Sequence, residues 1–307
     1  MIYRVLLTGA AGFIGSHVAR LLVSEGHHVT AILRPATDRR RIREIEGRLT
    51  ILEGDLGTLD ALASSIRAAR PEICIHLAWQ ELYGKASGAA NISSLTAGLE
   101  LLRVTSAAGC DRFVTAGTCF EYDLGHDRLA ETTPLRPHDL YGACKKALFE
   151  VGREFSAVAG ISVVVPRVFY AYGPYQDAGR LVPSIALSLL RGERAALTPG
   201  KQIRDYLHVE DIASAIWAVT ISGRTGAVNI ASGEPVTIAD VAQRIGQLLG
   251  RPDLIQLGAL EYPPNEPMRI VGDPSLLRCG VGWTPRFDLE TGLARTVAWW
   301  RDWETRA

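Results

Sequence analysis

The stretch Thr8-Gly9-Ala10-Ala11-Gly12-Phe13-Ile14-Gly15 constrains this chain more than any other. It follows an apolar run at 5–7 and opens a helix-like stretch at 14–24. Glycines at G-x-x-G-x-x-G spacing let the backbone turn sharply. They also bring the free N–H groups of a helix N-terminus close to an anion such as a pyrophosphate. Alone, such a turn is often an ordinary strand-to-helix connection. Between a first strand and a first helix, it reads as a dinucleotide cradle.

The rest of the first 170 residues repeats that alternation. Apolar runs at 29–33, 49–52, 73–77, 113–114 and 161–165 are separated by helical patterns at 59–68, 92–108 and 141–157. Strand–helix alternation implies an α/β fold with a parallel, doubly wound sheet. The unbroken hydrophobicity of 161–165 suits a strand covered on both faces. After Arg167 the composition changes. Residues 170–175 read as an aromatic, Gly/Pro-rich loop, 181–190 and 239–249 as helices, and 289–303 as an amphipathic last helix. This divides the chain into a sheet domain at 1–169, to which 205–230 returns, and a smaller C-terminal substrate lobe at 170–307.

Composition removes several classes. Lys+Arg and Asp+Glu are both 33, which argues against nucleic acid or a polybasic membrane contact. No apolar run reaches ~18 residues, so no transmembrane helix is expected. The glycine turn lies too near the start for a signal peptide to precede it. Five scattered cysteines (Cys74, Cys110, Cys119, Cys144, Cys279) read as free thiols of a cytoplasmic protein, with no metal site.

Two further positions bear on the cofactor. An acid at the end of the second strand would take a ribose 2′-hydroxyl, whereas an Arg accommodates a 2′-phosphate. Here the end of the second strand carries Arg34, with Arg39, Arg40 and Arg41 close behind. A guanidinium can hold a phosphate with two hydrogen bonds, so NADP(H) is expected over NAD(H). Asp55, after the third strand, is placed to accept from an adenine amino group, with Leu56 beside it.

Tyr141-Gly142-Ala143-Cys144-Lys145 carries the chemistry. Positions i and i+4 share a helix face. An ammonium near a phenol favours the phenolate and lowers its pKa, which suits Tyr141 for general acid/base work. Thr118 lies beyond the fifth strand, where open α/β sheets bind ligands. There its hydroxyl can hydrogen-bond a reacting oxygen.

Together these residues resemble the extended short-chain dehydrogenase/reductase family, in its NAD-dependent epimerase/dehydratase group. The resemblance also covers His76-Leu77-Ala78, Asn91, Arg167, Tyr172-Gly173-Pro174, Arg204 through Asp211, and Val228-Asn229-Ile230. It implies a Rossmann-type fold, a nicotinamide cofactor, a nucleotide-diphosphate sugar as substrate, and a homodimer formed through the helices at 92–108 and 141–157. By position, Thr118, Tyr141 and Lys145 would be catalytic. Gly9, Gly12, Phe13, Ile14, Gly15, Leu77, Ala78 and Asn91 would join Arg34, Asp55, Leu56, Tyr141 and Lys145 around the cofactor. Trp79, Thr118, Phe120, Tyr170, Arg180, Leu181, Val182 and Arg204 would meet the substrate, with Arg204 on its diphosphate.

The departures narrow the reaction. Sugar 4,6-dehydratases of the family carry Asp-Glu after the catalytic Thr; here those positions are Cys119 and Phe120. Cys119 reads as a packed thiol. A second Arg for the diphosphate, looked for near 262–264, is absent. Segments around 200–205, 257–259 and 265–268 resemble 4-ketoreductases that make CDP-abequose and CDP-paratose. The expectation is NADPH-dependent reduction of the C4 ketone of a nucleotide-linked 4-keto-6-deoxyhexose. An NAD-dependent 4-epimerase and a non-catalytic dinucleotide-binding scaffold stay open beside it. Glu121, Tyr122, His138, Glu81 and Tyr83 are weaker pocket candidates, and Trp299, Trp300 and Trp303 read as packing residues.

Overall fold

A computed structural model describes residues 1–80 and 88–305. The first half lays down β1 (Arg4–Thr8), α1 (Phe13–Ser24), β2 (His28–Leu33), β3 (Thr50–Glu53), α2 (Ala63–Ala69), β4 (Ile73–His76) and α3 (Gly88–Ala107). These are followed by β5 (Arg112–Thr115), β6 (Gly117–Thr118), α4 (Leu140–Ala159) and β7 (Ser162–Val168). The second half adds β8 (Tyr170–Tyr172), α5 (Leu181–Leu190), β9 (Ala195–Ala196), β10 (Ile203–His208), α6 (Val209–Ile221) and β11 (Gly226–Ile230). It ends with β12 (Pro235–Thr237), α7 (Ile238–Leu249), β13 (Ile255–Gln256), β14 (Arg269–Ile270) and α8 (Leu289–Glu304).

The main sheet runs β11-β7-β5-β4-β1-β2-β3, with β6 also on β7. Every pairing in it is parallel. This is the Rossmann-type arrangement expected from the sequence. The chain winds outward from β1 in one direction and then from β4 in the other, which opens a crevice at the carboxyl ends of β1 and β4. Helices cover both faces. Val18, Leu22, Ile212 and Ile216 pack on one face around Leu7 and Val164. Ile66, Leu101 and Leu102 pack on the other around Leu6 and Phe113.

Of the 205–230 stretch, α6 covers the main sheet and β11 lies within it, while residues 205–208 belong elsewhere. β10 forms a small sheet, antiparallel to β12 and parallel to β14 and β8. Residues 170–175 therefore contain a short strand where a loop was expected. Its partner lies more than thirty residues on, and three residues carry no periodicity. A second core binds α5, α7 and α8 through Val182, Ile185, Val241, Ile245, Val297 and Trp300. Trp300 is packed there, while Trp299 and Trp303 stack on each other at 5.3 Å. The helical pattern at 59–68 is a 3-10 stretch over Leu56–Leu62 running into α2, with a kink at Thr58. No helix among the described residues is long and apolar enough to cross a membrane.

Candidate active site

Gly9, at φ +76°, turns the chain out of β1. A Cβ there would lie 2.7 Å from the Ala78 nitrogen, and one at Gly15 would lie 2.0 Å from the Gly9 carbonyl oxygen. Side chains are thus excluded by backbone on both sides. Gly12 caps α1 without a side-chain hydrogen bond, which leaves the first helical N–H groups open. In front of them is a cavity of about 570 Å³, lined by Gly9, Gly12, Arg34, Asp55, Leu56, Leu77 and Ala78. His76 also lines it. Its Nδ1 meets Thr8 Oγ1 at 2.7 Å, while its buried Nε2 has no partner among the described residues. An open helix terminus and a cradle that a single methyl would fill suit a dinucleotide.

The arginines that follow β2 are sorted by their partners. Arg39 is tied to Glu46 and Glu53 at 2.8 and 2.5 Å, and Arg40 to Asp38 at 3.2 Å. Arg41 donates to the Tyr175 carbonyl at 2.9 Å and to Asp177 at 2.5 Å. It thereby ties the segment after β2 to the loop before α5, a connection that the cluster of arginines in the sequence did not indicate. Arg34 is exposed on the cavity wall, and its guanidinium makes no hydrogen bond or ion pair with a described residue. Asp55 caps the 3-10 stretch by accepting from the Gly57 N–H at 2.7 Å.

A second cavity of about 600 Å³ lies between the main sheet and the second core. Thr118, Tyr141 and Lys145 line it, as do Phe13, Ile14, Leu77, Trp79, Phe120, Tyr170, Arg180, Leu181, Val182 and Arg204. Asp139 caps α4 by accepting from the Gly142 N–H at 2.7 Å, which sets Tyr141 and Lys145 on one helix face. Tyr141 and Thr118 stand on the same cavity wall, where the Thr118 hydroxyl acts to lower the Tyr141 phenol. The buried Lys145 ammonium donates to the Ala116 carbonyl at 2.9 Å and stands 3.7 Å above the Trp79 ring. Trp79 in turn donates its indole N–H to Asn91 Oδ1 at 2.8 Å.

Three expectations need correction here. Burial pushes the Tyr141 phenol up, opposed by the Thr118 hydroxyl, so Lys145 does not hold it low in this state. Lys145 itself is lowered to about 7 by burial, opposed by Glu121. Asn91 is buried and engaged by Trp79, and Gly15 is buried against Gly9, so neither lines either cavity. Glu121 and Tyr122 face inward: Glu121 pairs with Arg167 and Tyr122 with Asn229. His138 is exposed and off both walls, while Glu81 and Tyr83 lie outside the described residues. Cys119 is buried, and burial pushes its thiol up to about 12, the state of a packed thiol rather than a nucleophile.

Arg204 is buried, with its guanidinium on the Ile203 carbonyl, on Glu266 and 5.3 Å over the Tyr170 ring. Glu266, Asp177, Gln202 and Tyr206 also line the cavity and were not singled out from the sequence. They sit on a loop and a small sheet whose placement depends on contacts remote in the chain.

The sequence model of the NAD dependent epimerase/dehydratase family matches residues 5–231. A dTDP-glucose 4,6-dehydratase from Streptomyces griseus is 30% identical over 99% of this chain and 96% of its own length. A UDP-glucose 4-epimerase from Azospirillum brasilense is 28% identical over 97% of this chain and 91% of its own. Among solved structures, the UDP-glucose 4-epimerase of Thermus thermophilus in complex with NAD superposes with a TM-score of 0.87. It is 26% identical and covers 97% of this chain and 98% of that one.

Proposed function

The chain belongs to the NAD dependent epimerase/dehydratase family, and from that premise we propose that it reduces the C4 ketone of a nucleotide-linked 4-keto-6-deoxyhexose with NADPH. The observation that carries this reading is the supply of acid and base at the cavity. Thr118, Tyr141 and Lys145 form one proton-handling set. The carboxylates on the wall, Asp177 and Glu266, are both committed, to Arg41 and Arg204. Eliminating water from a sugar needs a second acid and base beside the hydroxyl. Cys119 and Phe120 stand where the resemblance implies an Asp-Glu pair in 4,6-dehydratases, which supports the reductase reading.

When bound, the nicotinamide supplies the hydride. Thr118 orients the ketone by hydrogen-bonding its oxygen. The high phenol pKa of Tyr141 suits a group that is protonated before the reaction and gives its proton as charge develops on O4. Lys145, once charged, stabilises the resulting phenolate at a site shielded from water. The glycine turn, Leu77 and Ala78 would hold the dinucleotide, and Arg34 its 2′-phosphate. Arg204 would exchange Glu266 for the substrate diphosphate. The division into 1–169 and 170–307, with 205–230 returning to the first, belongs to the same proposal. So does a homodimer through α3 and α4, which the exposed apolar Ile92 and Val151 support.

A 4-epimerase is the second reading, favoured by the epimerase relative and by the NAD in the Thermus structure. Arg34 weighs against it. Tyr141→Phe tests the assignment. The proposal expects a loss in kcat of about a hundredfold or more, the usual scale for a general acid, with NADPH affinity within about twofold of wild type. Turnover undiminished in Tyr141→Phe would overturn it.

A further inference from the structure

The Lys145 ammonium lies where few groups can balance it. The residue is 5% exposed, and one of its three N–H bonds goes to the Ala116 carbonyl at 2.9 Å. Among the described residues it pairs with no carboxylate: Glu121, which acts on it, is committed to Arg167 at 2.8 Å. His76 from β4 feels the same ammonium but is held neutral by burial, lowered to about 3. On its own helix, the centre of the Tyr141 ring lies 5.9 Å away. What meets the ammonium at close range is the Trp79 ring, whose centre lies 3.7 Å from Nζ.

Trp79 is held in that place from α3. Its indole N–H donates to Asn91 Oδ1 at 2.8 Å, and the next main-chain N–H, that of Gln80, donates to Ser94 Oγ at 3.1 Å. Asn91 and Ser94 are buried and stand one turn apart on α3. The segment after β4 is thus pinned to that helix at two successive residues. The ring stands at 81° to that of Tyr141, with centres 6.2 Å apart, and lines both cavities. An indole face is negative, and it attracts a cation most strongly where water is excluded. An aliphatic side chain would fill the space and leave the other N–H bonds of the ammonium facing hydrocarbon.

We propose that Trp79 is a positioning residue for the reaction: its ring face, pinned from α3, holds the Lys145 ammonium beside Tyr141 and the Ala116 carbonyl. Its part in the reaction rests on the function assigned above; the contact between ring and ammonium does not.

The test changes the charge of the ring face and keeps its shape. Protein is prepared with ordinary, monofluoro- or difluorotryptophan. Fluorine drains the negative face of an indole and leaves its N–H free to reach Asn91. The chain has four lysines (Lys85, Lys145, Lys146, Lys201), so 13Cε-lysine NMR can follow Lys145 itself, with Lys145→Arg assigning its signal. Trp79→Phe, given the same three tryptophans, isolates any effect of Trp217, Trp283, Trp299, Trp300 and Trp303. Burial lowers Lys145 to about 7, so it loses its proton near neutral pH. A weaker ring face disfavours the charged form and moves that loss to lower pH.

Lys145 should titrate roughly half a pH unit lower in the difluoro protein than in the ordinary one, with the monofluoro protein between them. The alkaline limb of kcat should move with it. In Trp79→Phe the three preparations should titrate alike. A Lys145 titration unmoved by fluorination, or a shift that persists in Trp79→Phe, would overturn the proposal. A kcat limb that stays put while Lys145 shifts would remove Trp79 from the reaction. Wild type that turns over no keto-sugar would count against the assigned function, and the NMR titration would still decide whether the ring holds the ammonium.

Discussion

Among the described residues the Arg34 guanidinium has no ion-pair partner on the wall of the first cavity, while Arg39, Arg40 and Arg41 are committed to carboxylates. An unpaired guanidinium on a cavity wall can meet a phosphate without breaking anything first. Hydrogen bonds to a charged group are worth about 1.5–3 kcal/mol. Arg34→Asp should thus lower the ratio of kcat/KM with NADPH to that with NADH by about tenfold to a hundredfold. Steady-state kinetics with both cofactors checks this, and an unchanged ratio would remove Arg34 from the cofactor site. Which arginine stays free was not legible in the sequence, because Glu46, Glu53 and Asp177 reach their partners only through the fold. Trp79 shows the same limit. Its position after β4 pointed to the cavity, but its face under Lys145 depends on Asn91, twelve residues on.

At the scale of elements, legibility follows the strength of local signals. The turn into α1 was readable because its spacing is dictated by close approach, and helix α5 because its apolar run is bounded at both ends. Strands β8, β12 and β14 have three residues or fewer and exist only through pairing with β10. Nothing local announces them, and the wall they build was only partly foreseen. The glycine turn gives the firmest prediction at this scale. A methyl at Gly15 would sit 2.0 Å from a backbone oxygen, so the turn must open to admit it. Gly15→Ala should weaken dinucleotide binding by roughly a hundredfold, since the helix N–H groups open to an anion shift with the turn. Calorimetric titration reads this, and wild-type affinity in a folded variant would contradict it.

Across the whole molecule, the site exists where two cores meet. The main sheet supplies the glycine turn, Thr118, Tyr141 and Lys145, and the second core supplies Leu181, Val182, Arg204 and Glu266. The motif residues of the first half were readable as a set, since the glycine spacing and the Tyr-x-x-x-Lys pattern are local, and the fold brings Thr118, Tyr141 and Lys145 to one cavity. The Arg204–Glu266 pair and the inward Glu121–Arg167 pair were not, because partners 62 and 46 residues apart leave no spacing signal. The central claim is that hydride passes once to a sugar ketone and the cofactor leaves oxidised. Incubation of the protein with deuterium-labelled NADPH and a nucleotide-linked 4-keto-6-deoxyhexose tests it, with product followed by NMR. The account predicts deuterium at C4 of the sugar, and NADPH consumed in step with product. Interconversion of C4 epimers with no net cofactor loss and a retained, tightly bound NAD would contradict it.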